Sequence, residues 1–159
     1  MKLLSKKIFY LLPLVWMLAC SSDDDSTPTV SDLIKANPWR VDNYDVNASS
    51  GGVSISQELL APFVDDILDE APLNGIITFE DNTFTIDDQG TIIDGTWSLS
   101  SDESEITMTF TIAAETFTFQ IQQITSDNFD LEYTTTENFN LATTSVSVSL
   151  EITGFLVPA

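Results

Sequence analysis

The sequence predicts an all-β domain: an eight-stranded antiparallel up-and-down barrel or a closely related two-sheet sandwich, with one helical insert after the first strand. Three observations predict it. From Asn74 onward, apolar and polar residues alternate with period two in seven successive runs, as in strands with one dry and one wet face. Short clusters of Asp, Asn, Ser and Gly separate most of the runs, which sets each strand antiparallel to the one before it. The wet positions are filled largely by threonine, which favours strands and adds little apolar surface.

Taken in order, Ser31 is placed to cap a short helix running through Asn37, and Pro38 stops it. Trp39 begins the first strand, and Asn47 to Gly52 reads as a polar loop. Residues 54–70 carry the one helical stripe: Ile55, Leu59, Phe63 and Ile67, broadened by Leu60, Val64 and Leu68, with Pro62 as an expected kink. The strand runs follow, with these apolar residues on the dry side: Ile77 and Phe79; Phe84 and Ile86; Ile93, Gly95, Trp97 and Leu99; Ile106, Met108, Phe110 and Ile112; Phe117, Phe119 and Ile121; Phe129, Leu131 and Tyr133; and Val146, Val148, Leu150 and Ile152. With the Trp39 strand the total is eight, a number that closes into a barrel and leaves no free edge. A sandwich produces the same alternation. A transmembrane barrel does not fit, because the wet face carries Thr, Ser, Asp and Glu where lipid tails would lie.

The first twenty residues differ from the rest. Lys2, Lys6 and Lys7 precede an apolar run from Ile8 to Ala19, too short for a permanent span and patterned as a secretory signal. Met17-Leu18-Ala19-Cys20 resembles the bacterial lipobox, which implies cleavage before Cys20 and lipid on its thiol. Cys20 is the sole cysteine, so no disulfide can form within the chain. Ser21-Ser22-Asp23-Asp24-Asp25 resembles the export signal of Bacteroidota lipoproteins, which implies the outer membrane and its outer surface, with a periplasm-facing position as the alternative. The expected organisation is therefore a signal peptide over 1–19, a lipidated cysteine and acidic tether over 20–30, and the barrel domain over 31–159.

The full chain carries a net charge of −20. The part after residue 19 keeps all 25 acidic residues but only Lys35 and Arg40 as bases, a net of −23. Nucleic acid is excluded as a partner, because phosphate recognition needs lysine and arginine. The expected partners are a membrane, through lipid on Cys20, and a small apolar ligand.

Several short pieces resemble the lipocalin-like domain of Bacteroidota lipoproteins: Pro38-Trp39-Arg40-Val41 after a short helix, the hairpin from Ile77 to Phe84, Gly95-Thr96-Trp97-Ser98-Leu99 before Ile106-Thr107-Met108, and Ile121 to Ile124 leading into Phe129-Asp130-Leu131. They span about residues 31–135. The resemblance implies a small barrel with one open end and often a hydrophobic cavity. The chain departs from the better-known lipocalins in having Asn37 rather than glycine two residues before Trp39, and no basic residue after Arg40.

Catalytic chemistry is sparse. Histidine is absent, the one cysteine is assigned to lipid, and no nucleophile elbow, phosphate loop or dinucleotide fingerprint occurs. The expectation is no enzyme, no cofactor and no metal. Acid pairs at Asp65/Asp66, Asp87/Asp88 and Asp102/Glu103 are the arithmetic minimum for a hydrolase. Asp81, Asn82, Asp87 and Asp88 offer hard oxygens for calcium but read more simply as turn residues. The candidate ligand-binding residues are the rings of the dry face: Phe79, Phe84, Trp97, Phe110, Phe117, Phe119, Phe129 and Tyr133. They either line a pocket or fill the barrel, since eight strands leave little more than side-chain room.

Overall fold

A computed structural model describes residues 27–56, 58–60, 73–141 and 144–159. The expectations for the signal segment, Cys20, most of the tether and residues 61–72 of the insert lie outside these residues. The described chain runs α1 (Val30–Lys35), β1 (Trp39–Ser50), β2 (Val53–Ile55), β3 (Ile76–Phe79), β4 (Thr83–Asp88), β5 (Thr91–Leu99), β6 (Glu105–Phe110), β7 (Thr116–Ile124), β8 (Phe129–Leu141) and β9 (Thr144–Pro158).

Consecutive strands from β3 to β9 pair antiparallel, and β9 returns to pair with β1. Eight strands thus close into an up-and-down barrel, and the sandwich alternative falls away. The ninth strand, β2, only extends β1 as a hairpin, with Gly51 and Gly52 both at positive φ between Ser50 and Val53. Gln89 and Gly90 make the same kind of turn between β4 and β5.

Four local expectations are corrected. The cap of α1 is Thr29, not Ser31: its hydroxyl accepts from the Asp32 amide at 3.1 Å, and Asp32 Oδ2 accepts from the Thr29 amide at 3.0 Å. Asn47 to Ser50 are strand, not loop, because β9 pairs with β1 as far as Ser49. Val53 to Ile55 are strand, and the insert is helical at 58–60. Ile112 lies in the turn after β6 and is 78 % exposed, because the chain leaves the sheet at Thr111.

The barrel has a tight end and a flared end. At the tight end α1 lies across the opening. Ile34 and Trp39 are fully buried there, Trp39 Nε1 donates to the Ile34 carbonyl at 2.7 Å, and Lys35 pairs with Asp81 at 3.4 Å. The Ala159 amide donates to the Pro38 carbonyl and closes the same rim. At the other end two seams part. β3 pairs with β1 only at Trp39 and Arg40, and β7 leaves β8 beyond the pair Gln120–Glu132. β8 and β9 continue together to the pair Leu141–Thr144.

Two clusters fill the space. The larger, at the tight end and middle, contains Ile34, Trp39, Ile77, Phe79, Phe84, Trp97, Met108, Phe119, Phe129 and Leu156, among others. The second, in the flared half, joins Val46, Ala48, Val148, Leu150 and Ile152 to Leu60 from the insert. Tyr133 packs against both.

Turn chemistry is local and polar. In the β5–β6 turn, Asp102 Oδ1 accepts from the Ser100 hydroxyl at 2.7 Å and the Ser104 hydroxyl at 2.9 Å. These hydrogen bonds, Ser100 first, hold the Asp102 carboxyl below its ordinary value. A carboxyl lowered on folding stabilises above its unfolded value, and the contribution is lost as pH falls through the folded value. Asp102→Asn is therefore expected to flatten the acid limb of stability. Urea midpoints measured from neutrality to about pH 3 check this, and an unchanged slope would count against it.

Candidate functional site

Strand alternation brings all eight ring candidates to the barrel interior. Cross-strand pairing then sets their heights. Phe79 lies opposite Phe84, Phe84 opposite Gly95, Gly95 opposite Phe110, and Met108 opposite Phe117. The rings form one continuous column. Phe129 meets Phe79 at 6.3 Å between centroids; Phe79 meets Trp97 at 5.5 Å and Phe84 at 6.3 Å; and Phe84 meets Phe110 at 5.0 Å. Phe110 continues to Phe117 at 5.5 Å, and Tyr133 lies 5.6 Å from both Phe117 and Phe119. Most of these contacts are edge-on, the arrangement that aromatic quadrupoles favour.

The column divides by burial. Phe79, Phe84, Trp97, Phe110, Phe119 and Phe129 are buried, and Trp97 Nε1 is satisfied by the Glu80 carbonyl at 2.9 Å. Phe117 and Tyr133 are only half-buried, and they lie where β7 and β8 part. Six rings are thus committed to packing, and Phe117 and Tyr133 keep part of their surface exposed.

Two residues of this interior were missed in the sequence. Trp39 begins the column, with its ring 5.5 Å from Phe129, and stands in the sequence as a strand start and a piece of the lipocalin-like pattern but not as a ring of the interior. Tyr44 lies inward on β1, opposite Gly154, with its ring carbons 3.5–3.7 Å from the place a Gly154 Cβ would occupy. Its hydroxyl is buried and has no hydrogen-bond partner. Burial also raises the Tyr44 hydroxyl above its ordinary value, so it is held as a protonated donor. The signal that would have found it is a shift of phase. Trp39 and Val41 face inward at odd positions, Tyr44, Val46 and Ala48 at even ones, with the register irregularity between Val41 and Asn43.

The acidic residues do not converge. Asp81 and Asn82 lie beside β4 at the tight end and Asp87 and Asp88 at its flared end, separated by a six-residue strand of about 20 Å. They cannot share one ion. Asp87 Oδ1 accepts from the Gly90 amide at 2.8 Å as a turn residue. Asp102 is engaged by Ser100 and Ser104, Glu103 is exposed, and Asp65/Asp66 lie outside the described residues. Among the described residues, no three acidic or cysteine side chains group as metal ligands, and no helix is long and apolar enough to cross a membrane.

No family model matches this sequence, and no curated protein is significantly similar to it. The flared half, with half-buried Phe117 and Tyr133 and with Tyr44 packed against the same aliphatic cluster as Tyr133, therefore stands as the candidate site on its own physical terms.

Proposed function

We propose that this protein is an outer-membrane lipoprotein, held by lipid on Cys20 and displayed at the cell surface, whose lipocalin-like barrel binds a small hydrophobic or amphiphilic molecule without transforming it. The anchor reading rests on the charged and apolar N-terminal pattern ending at Cys20. The binding reading rests on one observation: the barrel is tight and plugged at one end but parted at both seams of the other, where Phe117 and Tyr133 stay half-buried. Apolar walls with a few polar groups are the usual lining of a small-molecule site.

A second reading is favoured by the ring column itself. Six of the eight candidate rings are buried, and five of them, Phe129, Phe79, Trp97, Phe84 and Phe110, are in successive contact, as a filled core requires, which suits a structural or protein-interaction module with no small ligand. Titration of a soluble form beginning after Cys20 with the uncharged dye N-phenylnaphthylamine separates the two. Saturable fluorescence enhancement at one dye per protein is expected for the binding module; none is expected for the filled one.

The anchor is tested separately. Cys20→Ala is expected to abolish labelling by radioactive palmitate and to leave the protein unprocessed or released from the membrane fraction. Protease added to whole cells should degrade the wild-type protein if it is surface-displayed and spare it if it faces the periplasm.

A further inference from the structure

We infer that Tyr44 is the polar anchor of the ligand site, and that the ligand is an uncharged amphiphile presenting an acceptor oxygen, such as an ester, amide or hydroxyl, to its hydroxyl. This rests on the binding reading above and specifies its chemistry.

Tyr44 occupies the row Tyr44–Gly154–Leu131, one step below the pair Gln120–Glu132 where β7 and β8 separate. That row is the floor of the flared half. Gly154 leaves room beside the Tyr44 ring for no more than a methyl group, whose carbon would lie 3.5–3.7 Å from the ring. Above it stand Tyr133 and the aliphatic wall of Val46, Leu150 and Ile152. A hydroxyl buried without a partner forfeits its hydrogen bonds to water and gains nothing in return. Phenylalanine would pack as well without that cost. The other polar ring atoms buried in the interior, Trp39 Nε1 and Trp97 Nε1, both have carbonyl partners. Tyr44 Oη is the buried side-chain polar atom left without one among the described residues.

The charge around the opening selects the class. Asp45 and Glu151 lie on the outer face of the same two strands, and Asp87, Asp88, Glu115 and Glu137 lie toward the flared end. The two bases that follow Cys20, Lys35 and Arg40, lie at the tight end. An anionic head is repelled from the opening and finds no cation inside. A neutral oxygen needs none, and a protonated phenol satisfies it.

The test uses the soluble form of the chain, with N-phenylnaphthylamine as the apolar reporter and monodecanoylglycerol and decanoate as competitors. Tyr44→Phe is expected to raise the Tm of the ligand-free protein by about 3 °C, because an unsatisfied hydroxyl is removed. It should weaken displacement by monodecanoylglycerol about fivefold to tenfold and leave dye affinity unchanged. Decanoate should displace the dye poorly from both proteins. If the dye binds and Tyr44→Phe binds monodecanoylglycerol as the wild type does, the Tyr44 assignment is overturned while the binding reading stands. If decanoate competes as well as the glyceride, the uncharged class is overturned. If no dye binds to either protein, the binding reading itself fails and this inference with it. A Tyr44→Phe protein unchanged in both Tm and affinity identifies the hydroxyl as water-satisfied and overturns the assignment.

Discussion

Gly95→Ala is expected to cost about 3 kcal/mol or more, enough to leave much of the protein unfolded at 37 °C. Gly95 lies between Phe84 on β4 and Phe110 on β6, and the two rings meet above it at 5.0 Å. An added Cβ would fall 2.2 Å from the Thr109 carbonyl oxygen and 2.6 Å from two carbons of the Phe84 ring. The ring can move, but the carbonyl belongs to the neighbouring strand and cannot. Combining Gly95→Ala with Phe84→Leu is therefore expected to recover little. Gly154→Ala is the control, for its Cβ would find its nearest atoms at 3.5–3.7 Å, ordinary packing distance. Urea denaturation of the three variants measures the contrast. Equal midpoints for Gly95→Ala and Gly154→Ala would refute this account of the Phe84–Gly95–Phe110 row.

Trp39→Ala is expected to cost about 4 kcal/mol, through the cavity left by a fully buried indole. Trp39→Phe should cost less, about 1.5 kcal/mol, mostly for the lost hydrogen bond to the Ile34 carbonyl. That bond ties α1 to the first strand, so Trp39→Phe should also speed hydrogen exchange in Leu33 and Ala36, whose amides bond within the helix. Trp97 remains as the fluorescent reporter in both variants, following each unfolding transition from the middle of the core. A Trp39→Ala protein within 1 kcal/mol of the wild type would mean that the plug contributes little to holding the tight end.

The strands from β3 to β7 were legible because each has one face in the core and one in water, and the alternation survives in residues such as Ile106-Thr107-Met108-Thr109-Phe110. Closure through β1 and β9 was legible only as a count of eight. The rest was hidden for identifiable reasons. The bulge after Val41 changes which parity faces inward, so β1 loses its period two halfway along and Tyr44 reads as surface. The second half of β8, Thr134 to Asn138, has lost β7 from one side and carries no apolar alternation, so its strand character comes from β9 alone. Ile112 shows the opposite error: its alternation continues one step past the end of the strand into the turn. The eight rings were correctly placed on one face by periodicity. Their division into six buried and two half-buried depends on where β7 leaves β8, which no local pattern encodes.

The pairing of β9 also sets an order in time. This 15-residue strand bonds along one edge to β8 and along the other to β1, in the two longest ladders of the molecule. It is the last strand to be made, and one of its partners is the first. A chain emerging N-terminus first holds the middle of β1, Val41 to Asn47, without a strand neighbour until β9 arrives. Contacts this distant in sequence make for slow folding, and the waiting edges are exposed to pairing with other chains. The barrel therefore cannot close until β9 joins β8 to β1. Its most vulnerable species is one in which β1 to β8 are present and β9 is not yet paired.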